Sequence, residues 1–406
     1  MAITLNQLFK TYGSSLMERY RLSPDMRRAI FSISSCRTAS RGGHINRCPD
    51  CDHVQIAYNS CMHRCCPQCA WLPRERWLRG WKERLLPVPH HHIVFTVSHL
   101  LNEIWRFNKK QFSKVLFRSV SETLLELLAD PKYLGARPGL LAALHTWNQQ
   151  LLPHIHMHVL VTAGGLTQDN QWAAPKKECL LPRKVLMLKF RGKFLSLLGE
   201  ASKKGQLRLP TSWGEGEFER VLKQSRTKDW NVKIHDRYDY AVGVATYLAR
   251  YIKGGPIGKS RLLELADGQV KYRYRISSLE GGDGKKQGVD QLAIETFLLR
   301  WLDHVPPRRF QTVRGFGLYG GNQYSRNTEA RVSLGLAIVE GRKPDKLSCD
   351  ELLEEAGYGE KGCCPKCGAK MYMEEEFGCG LDPPSLELYR PTQKTRPVRK
   401  THEVAC

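Results

Sequence analysis

The stretch Pro153-His154-Ile155-His156-Met157-His158-Val159-Leu160-Val161 decides the reading of this chain. Apolar residues alternate with histidines, which predicts a strand. Successive strand side chains point to opposite faces, so His154, His156 and His158 share one face while Ile155, Met157 and Val159 line the other. Residues two apart lie roughly 6.5 Å apart along a strand, close enough for two imidazoles to share a divalent ion. His154 and His158 lie roughly 13 Å apart by the same arithmetic, too far for all three to bind one ion easily. The expectation is a metal platform on a rigid strand whose back faces a core.

A second feature stands about ninety residues further on. Val242, Ala245, Leu248, Ala249 and Ile252 recur at helical spacing, and Gly254-Gly255 signals a stop. Tyr247 and Tyr251 are four apart, hence one turn apart on one face, with Arg250 and Lys253 beside them. Alone, such a pair reads as the edge of a core. Beside a metal strand it reads differently. A tyrosine hydroxyl, with a free pKa of about 10, is a poor nucleophile. It becomes effective against a phosphodiester when a metal polarises the phosphate and attack is held in line. A phosphotyrosine link conserves the bond energy, so a later hydroxyl can rejoin the strand without ATP. Two tyrosines allow two successive attacks in one site.

At these residues the chain resembles the rolling-circle transposases of the HUH class (His-hydrophobic-His), the group typified by insertion sequence 91. The resemblance begins at Cys36-Arg37-Thr38-Ala39 and Gly42-Gly43-His44, and continues through Tyr58-Asn59-Ser60-Cys61 and Cys66-Pro67-Gln68-Cys69. Leu144-His145-Thr146-Trp147-Asn148-Gln149 then leads into the histidine strand and Ala163-Gly164-Gly165-Leu166. Tyr247-Leu248-Ala249-Arg250-Tyr251 resembles the family's nucleophile helix, and Phe297–Leu318 its closing segment. The coverage runs from about residue 30 to about residue 320. His156 and His158 best match the family's metal pair, and His154 matches a further histidine found there. The chain departs at Ile155, where the family has proline, and at Cys65, where it has histidine. The resemblance implies Mg²⁺ or Mn²⁺ at the histidines, with phosphate and water oxygens completing the shell. It also implies single-strand cleavage by Tyr247 or Tyr251 at the transposon ends. A third protein ligand is needed, and Gln149, Gln150, His145 and His154 are all candidates. Imidazoles by themselves would suit zinc or manganese.

Composition agrees with a DNA enzyme. Lys and Arg number 63 against 40 Asp and Glu, a formal charge of +23, which favours a polyanionic partner. Arg250, Lys253 and Arg314 are the expected DNA contacts. The opening residues carry no basic region ahead of an apolar run, and no run reaches the about 20 residues of a membrane span. A soluble, cytoplasmic protein without a membrane partner is expected. Thiols stay reduced there, so the 14 cysteines point to metal rather than to disulfides. Cys48-x-x-Cys51 and Cys66-x-x-Cys69, fourteen residues apart, are expected to hold one structural Zn²⁺. Cys36, His44, Cys61, His63 and Cys65 lie near enough to build a second. Cys364-Pro365-Lys366-Cys367-Gly368 is a further knuckle whose set looks incomplete, with only Cys363 and Cys379 beside it. The basic, Pro-bearing tail Arg390–Lys400 reads as disordered.

The remaining elements suit an α+β fold with an antiparallel sheet and packed helices, preceded by a small zinc-binding domain. Strands are expected at His91–Val97 and Asn231–His235, and helices over Asn102–Leu128 and Leu180–Leu198. Lys271–Ile276 alternates basic and aromatic residues, as a strand or a DNA-facing surface would. The expected division is residues 1–85 (zinc and DNA binding), 86–340 (tyrosine nuclease) and 341–406 (Cys-containing segment with basic tail). A replication initiator or relaxase of the same chemistry, and a zinc-dependent DNA-binding protein without catalysis, are the competing readings. Oligomeric state is not legible.

Overall fold

The computed structural model describes residues 3–175, 180–228, 230–239, 243, 246, 255–276, 287–321, 323–338 and 347–380. Among these, the helices in chain order are α1 (Leu5–Arg19), α2 (Pro24–Ser34), α3 (Trp71–Lys82), α4 (Asn102–Phe107), α5 (Lys109–Ala129), α6 (Arg183–Lys203), α7 (Glu217–Thr227), α8 (Ile294–Asp303), α9 (Tyr324–Ser333) and α10 (Cys349–Glu355). The strands are β1 (Gly43–Arg47), β2 (Val54–Tyr58), β3 (His90–Thr96), β4 (Gly139–Trp147), β5 (Pro153–Thr162), β6 (Gly165–Leu166), β7 (Trp172–Ala173), β8 (Val232–Tyr238), β9 (Leu262–Ala266), β10 (Gln269–Arg275), β11 (Gln287–Ala293), β12 (Val313–Gly317) and β13 (Tyr372–Phe377). The chain forms two compact units: residues 80–252 with 306–343, and residues 1–79 with 253–305 and 344–406.

The first of these is built on a five-stranded sheet in the order β12-β4-β5-β3-β8, with every neighbouring pair antiparallel. The histidine strand β5 is therefore central. One face is apolar: Leu140, Ala142 and Leu144 of β4, Ile155, Met157, Val159 and Val161 of β5, and Ile93 and Phe95 of β3 all enter one core. α5 covers that face with Phe112, Leu116, Phe117, Val120 and Leu124, and α6 with Phe190, Phe194 and Leu198. These apolar positions recur at three and four along each helix, so each presents a stripe to the sheet. Burying a side chain of this size stabilises by about 1.5–3 kcal/mol, so the sheet is anchored through this face and its other face is left for chemistry.

Tyr319 fixes the start of β4. Its ring lies where a Cβ on Gly139 would stand, 2.8 Å away, so only glycine fits there. Its hydroxyl accepts from Leu86 N–H (3.1 Å) and meets His90 Nε2 (2.8 Å). His90 Nδ1 lies 2.7 Å from the Val88 carbonyl, so Nδ1 carries the ring proton. Nε2 then accepts the tyrosine hydroxyl proton, so the Leu86 N–H, the Tyr319 hydroxyl and both His90 ring nitrogens are paired.

The second unit opens on α1, which starts with a capping box between Thr4 and Gln7, and α2, capped by Ser23 ahead of Pro24. Phe9 of α1 packs edge-on against Trp301 of α8 at 5.2 Å. β9, β10 and β11 form an antiparallel sheet in which Tyr272 is fully buried and donates to Asp290 (2.9 Å). The third sheet has the order β13-β1-β2, so a strand near the C-terminus pairs with the N-terminal hairpin, Arg47 opposite Tyr372.

Candidate functional site

The open face of the five-stranded sheet carries histidines. Register sets His145 of β4 directly opposite His156 of β5, and Ala143 opposite His158. Side-chain alternation puts His145, His156 and His158 on the face away from α5 and α6. One ligand atom from each lies within 4.8 Å of the others, and the ring centroids of His145 and His158 are 4.3 Å apart. His156 Nδ1 donates to the His154 carbonyl (2.8 Å), leaving Nε2 as its ligand atom. His92 of β3 places Nε2 2.8 Å from His158 Nδ1 and stacks on His235 of β8 with centroids 4.7 Å apart.

Burial governs the charge of this cluster. It holds His145 and His158 well below the usual imidazole range, and neighbouring histidines push in the same direction. It lowers His156 to about 4. At neutral pH all three rings are therefore uncharged, each with a lone pair to offer. Three neutral nitrogen donors converging on one point fit a divalent ion with open positions left for oxygen ligands.

Of the third-ligand candidates, His145 joins the pair. His154 does not: its Nδ1 lies 3.2 Å from His99 Nε2, and the rise of the strand carries it past the point where His156 and His158 converge. Arg314 stands on the other face of the sheet. β12 pairs it with Ala142, a residue of the apolar face, so its side chain leaves the histidine face and its guanidinium lies 4.6 Å over the Phe117 ring. Tyr247, Tyr251, Arg250 and Lys253 lie outside the described residues. His92 comes close to the pair as well. Strand alternation already sets it apart from His91, but its approach to His158 depends on the β3–β5 register.

The thiols are grouped differently from the expected set of Cys48, Cys51, Cys66 and Cys69. Cys66 and Cys69 converge with Cys36 and Cys61, all four sulfurs within 4.8 Å, while Cys48 and Cys51 converge with Cys364 and Cys367. The reason is β-hairpin geometry. Cys48 and Cys51 occupy the β1–β2 turn, at the opposite end of the hairpin from the segment that carries Cys61. In the first group the Cys61 and Cys69 sulfurs are 3.6 Å apart, and Cys61 N–H points at Cys36 Sγ (3.4 Å). A tetrahedral zinc with Zn–S of about 2.3 Å has edges of about 3.8 Å, so four deprotonated thiols here fit that ion. His44, His63 and Cys65, the remaining candidates, belong to neither group.

Two family models match the chain: "Transposase zinc-binding domain" over residues 8–97 and "Putative transposase" over residues 139–327. The second spans β4, β5 and β12 and so includes all three clustered histidines. Across 388 residues the chain is 35% identical to "Putative transposase y4qJ" of Sinorhizobium fredii (strain NBRC 101917 / NGR234), covering 93% of this chain and 96% of the relative. It is 28% identical over 353 residues to "Transposase for insertion sequence element IS801" of Pseudomonas savastanoi pv. phaseolicola, covering 84% of this chain and 82% of that one. Among solved structures, the conjugative relaxase TrwC in complex with OriT DNA matches 39% of this chain and 72% of its own, at 15% identity and a TM-score of 0.23. The chain belongs to the insertion sequence 91 type of transposases, enzymes of rolling-circle DNA transposition.

Proposed function

We propose that this transposase cuts and rejoins single-stranded DNA at the ends of its element through Tyr247 and Tyr251, at the centre formed by His145, His156 and His158. The observation that carries the reading is the convergence of three neutral imidazoles on the open face of a sheet anchored from behind. Magnesium or manganese held by these rings would supply electrophilic polarisation of the scissile phosphate. The chain's own part is positional and nucleophilic. The oxygen of Tyr247 or Tyr251 attacks phosphorus, a P–O(tyrosine) bond forms, and the bond to the 3′-oxygen breaks. The tyrosine proton ends on that oxygen, leaving a 5′-phosphotyrosine and a free 3′-hydroxyl. Rejoining is the reverse attack by a 3′-hydroxyl, with the second tyrosine serving the other end. Arg250 and Lys253, beside the nucleophiles in sequence, would neutralise backbone phosphate. Cys36, Cys61, Cys66 and Cys69 hold a structural Zn²⁺ in the DNA-binding module.

The experiment is covalent capture. End-derived single-stranded oligonucleotides are incubated with Mn²⁺ or Mg²⁺ and the protein, then run on denaturing gels. A metal-dependent adduct lost in the Tyr247→Phe/Tyr251→Phe double variant is expected. No adduct with folded, zinc-loaded protein would leave only the non-catalytic DNA-binding reading. A relaxase or initiator would give the same adduct, but the relatives matched over most of the chain are transposases.

A further inference from the structure

Cys48-Pro49-Asp50-Cys51 and Cys364-Pro365-Lys366-Cys367 are more than 300 residues apart in the chain, yet they fold into the same turn twice. In the first, Cys48 N–H donates to the His53 carbonyl at 2.9 Å; in the second, Cys364 N–H donates to the Ala369 carbonyl at 2.7 Å. The residue after the second cysteine is left-handed in both, Asp52 at φ 55° and Gly368 at φ 78°. That twist aims a backbone N–H at the second sulfur: His53 toward Cys51, and Ala369 toward Cys367. Lys366 N–H does the same for Cys364 at 3.4 Å.

The two turns face each other with crossed pairing. Cys48 Sγ lies 3.3 Å from Cys367 Sγ, and Cys51 Sγ lies 3.6 Å from Cys364 Sγ. These separations approach the about 3.8 Å edge of a zinc tetrathiolate with Zn–S of about 2.3 Å. The sheet holds the turns there: β13 pairs with β1 as β1 pairs with β2, and Arg47 of β1 bonds Glu374 of β13 at 2.9 Å. Cys48 and Cys364 are buried beside Met371, while Cys51 and Cys367 are exposed.

We propose that Cys48, Cys51, Cys364 and Cys367 bind a second zinc ion, so that a C-terminal knuckle outside both matched family domains completes the N-terminal metal module. The consequence is architectural. The β1–β2 hairpin is half a zinc ribbon, and the segment carrying Cys364 and Cys367 supplies the other half. Loss of that segment would strip this zinc from the hairpin while leaving the ion at Cys36, Cys61, Cys66 and Cys69 in place.

Zinc content of the full-length protein by elemental analysis tests this. One zinc ion fewer per chain is expected in Cys364→Ser/Cys367→Ser than in the wild type. Equal zinc content in the two overturns the proposal. A readout on wild-type protein avoids dependence on the variant's folding: alkylation with iodoacetamide, mapped by mass spectrometry with and without chelator. Cys48, Cys51, Cys364 and Cys367 should be protected together and exposed together on chelation, with exposed Cys379 alkylated throughout as control. Alkylation of Cys364 and Cys367 in zinc-loaded protein would show that they do not ligate.

Discussion

His92 Nε2 lies 2.8 Å from Nδ1 of His158, the two rings being nearly parallel with centroids 5.0 Å apart. For His158 to offer Nε2 to a metal, its Nδ1 must carry the proton, and His92 is the acceptor that holds it there. His92 is held in turn against His235. It is thus a positioning residue, acting through a ligand rather than on DNA. Partners of this kind are worth about 10–100-fold in metal affinity. Replacement of His92 by Ala should weaken Mn²⁺ binding by about that factor, measured by titration of the folded protein, and His92→Gln, which retains an acceptor, should recover part of it. Equal affinity in wild type and His92→Ala would remove the positioning role.

The histidines of β4 and β5 separate cleanly. His145→Ala removes a converging donor, and Mn²⁺ affinity should fall at least as far as in His92→Ala, by more than about 10-fold. His154→Ala removes the contact with His99 and the ring contact with His156, but no converging donor, and should leave affinity within about two-fold. The comparison is internal to one face of one sheet. A large loss in His154→Ala with none in His145→Ala would reverse the assignment.

Arg314 lends itself to a split between stability and binding. Its guanidinium stacks over Phe117 on the helix-covered side, and desolvation lowers its pKa. Such contacts contribute about 0.5–2 kcal/mol. Arg314→Ala should therefore lower the melting temperature by several degrees while the slope of log affinity against log salt for single-stranded DNA is unchanged. A phosphate contact would reduce that slope by about one.

How much of this was legible in the sequence depends on the range of the interaction. The central strand, its histidine face and its apolar back follow from alternation within nine residues, which pleating alone dictates. α5, α6 and β8 were equally readable from local periodicity. His145 remained one candidate among several because choosing it needs the register of β4 on β5, a property of two strands together. The thiols were misgrouped for the same reason: spacing along the chain favoured Cys48 with Cys66, whereas the sheet brings Cys48 to Cys364. The face on which Arg314 stands likewise follows from the pairing of β12 with β4, and one residue of phase decides it.

The His90–Tyr319 pair makes stability depend on pH. Burial lowers His90 to about 4, against 6.5 for a free imidazole, and the ring is fully enclosed. Between these values the unfolded chain takes up a proton that the folded chain refuses, so stability is full above about pH 6.5 and falls as pH drops toward 4. Other buried histidines act with the same sign, so the contribution of His90 is read as a difference. His90→Asn should flatten the fall in melting temperature between pH 6.5 and 4.5 relative to wild type, because the variant has one fewer group to protonate on unfolding. Tyr319→Phe acts differently: it strands Leu86 N–H and His90 Nε2 without a partner hydroxyl, which costs about 1–3 kcal/mol at neutral pH. Parallel melting curves of wild type and His90→Asn across that pH range would show that His90 does not carry the linkage.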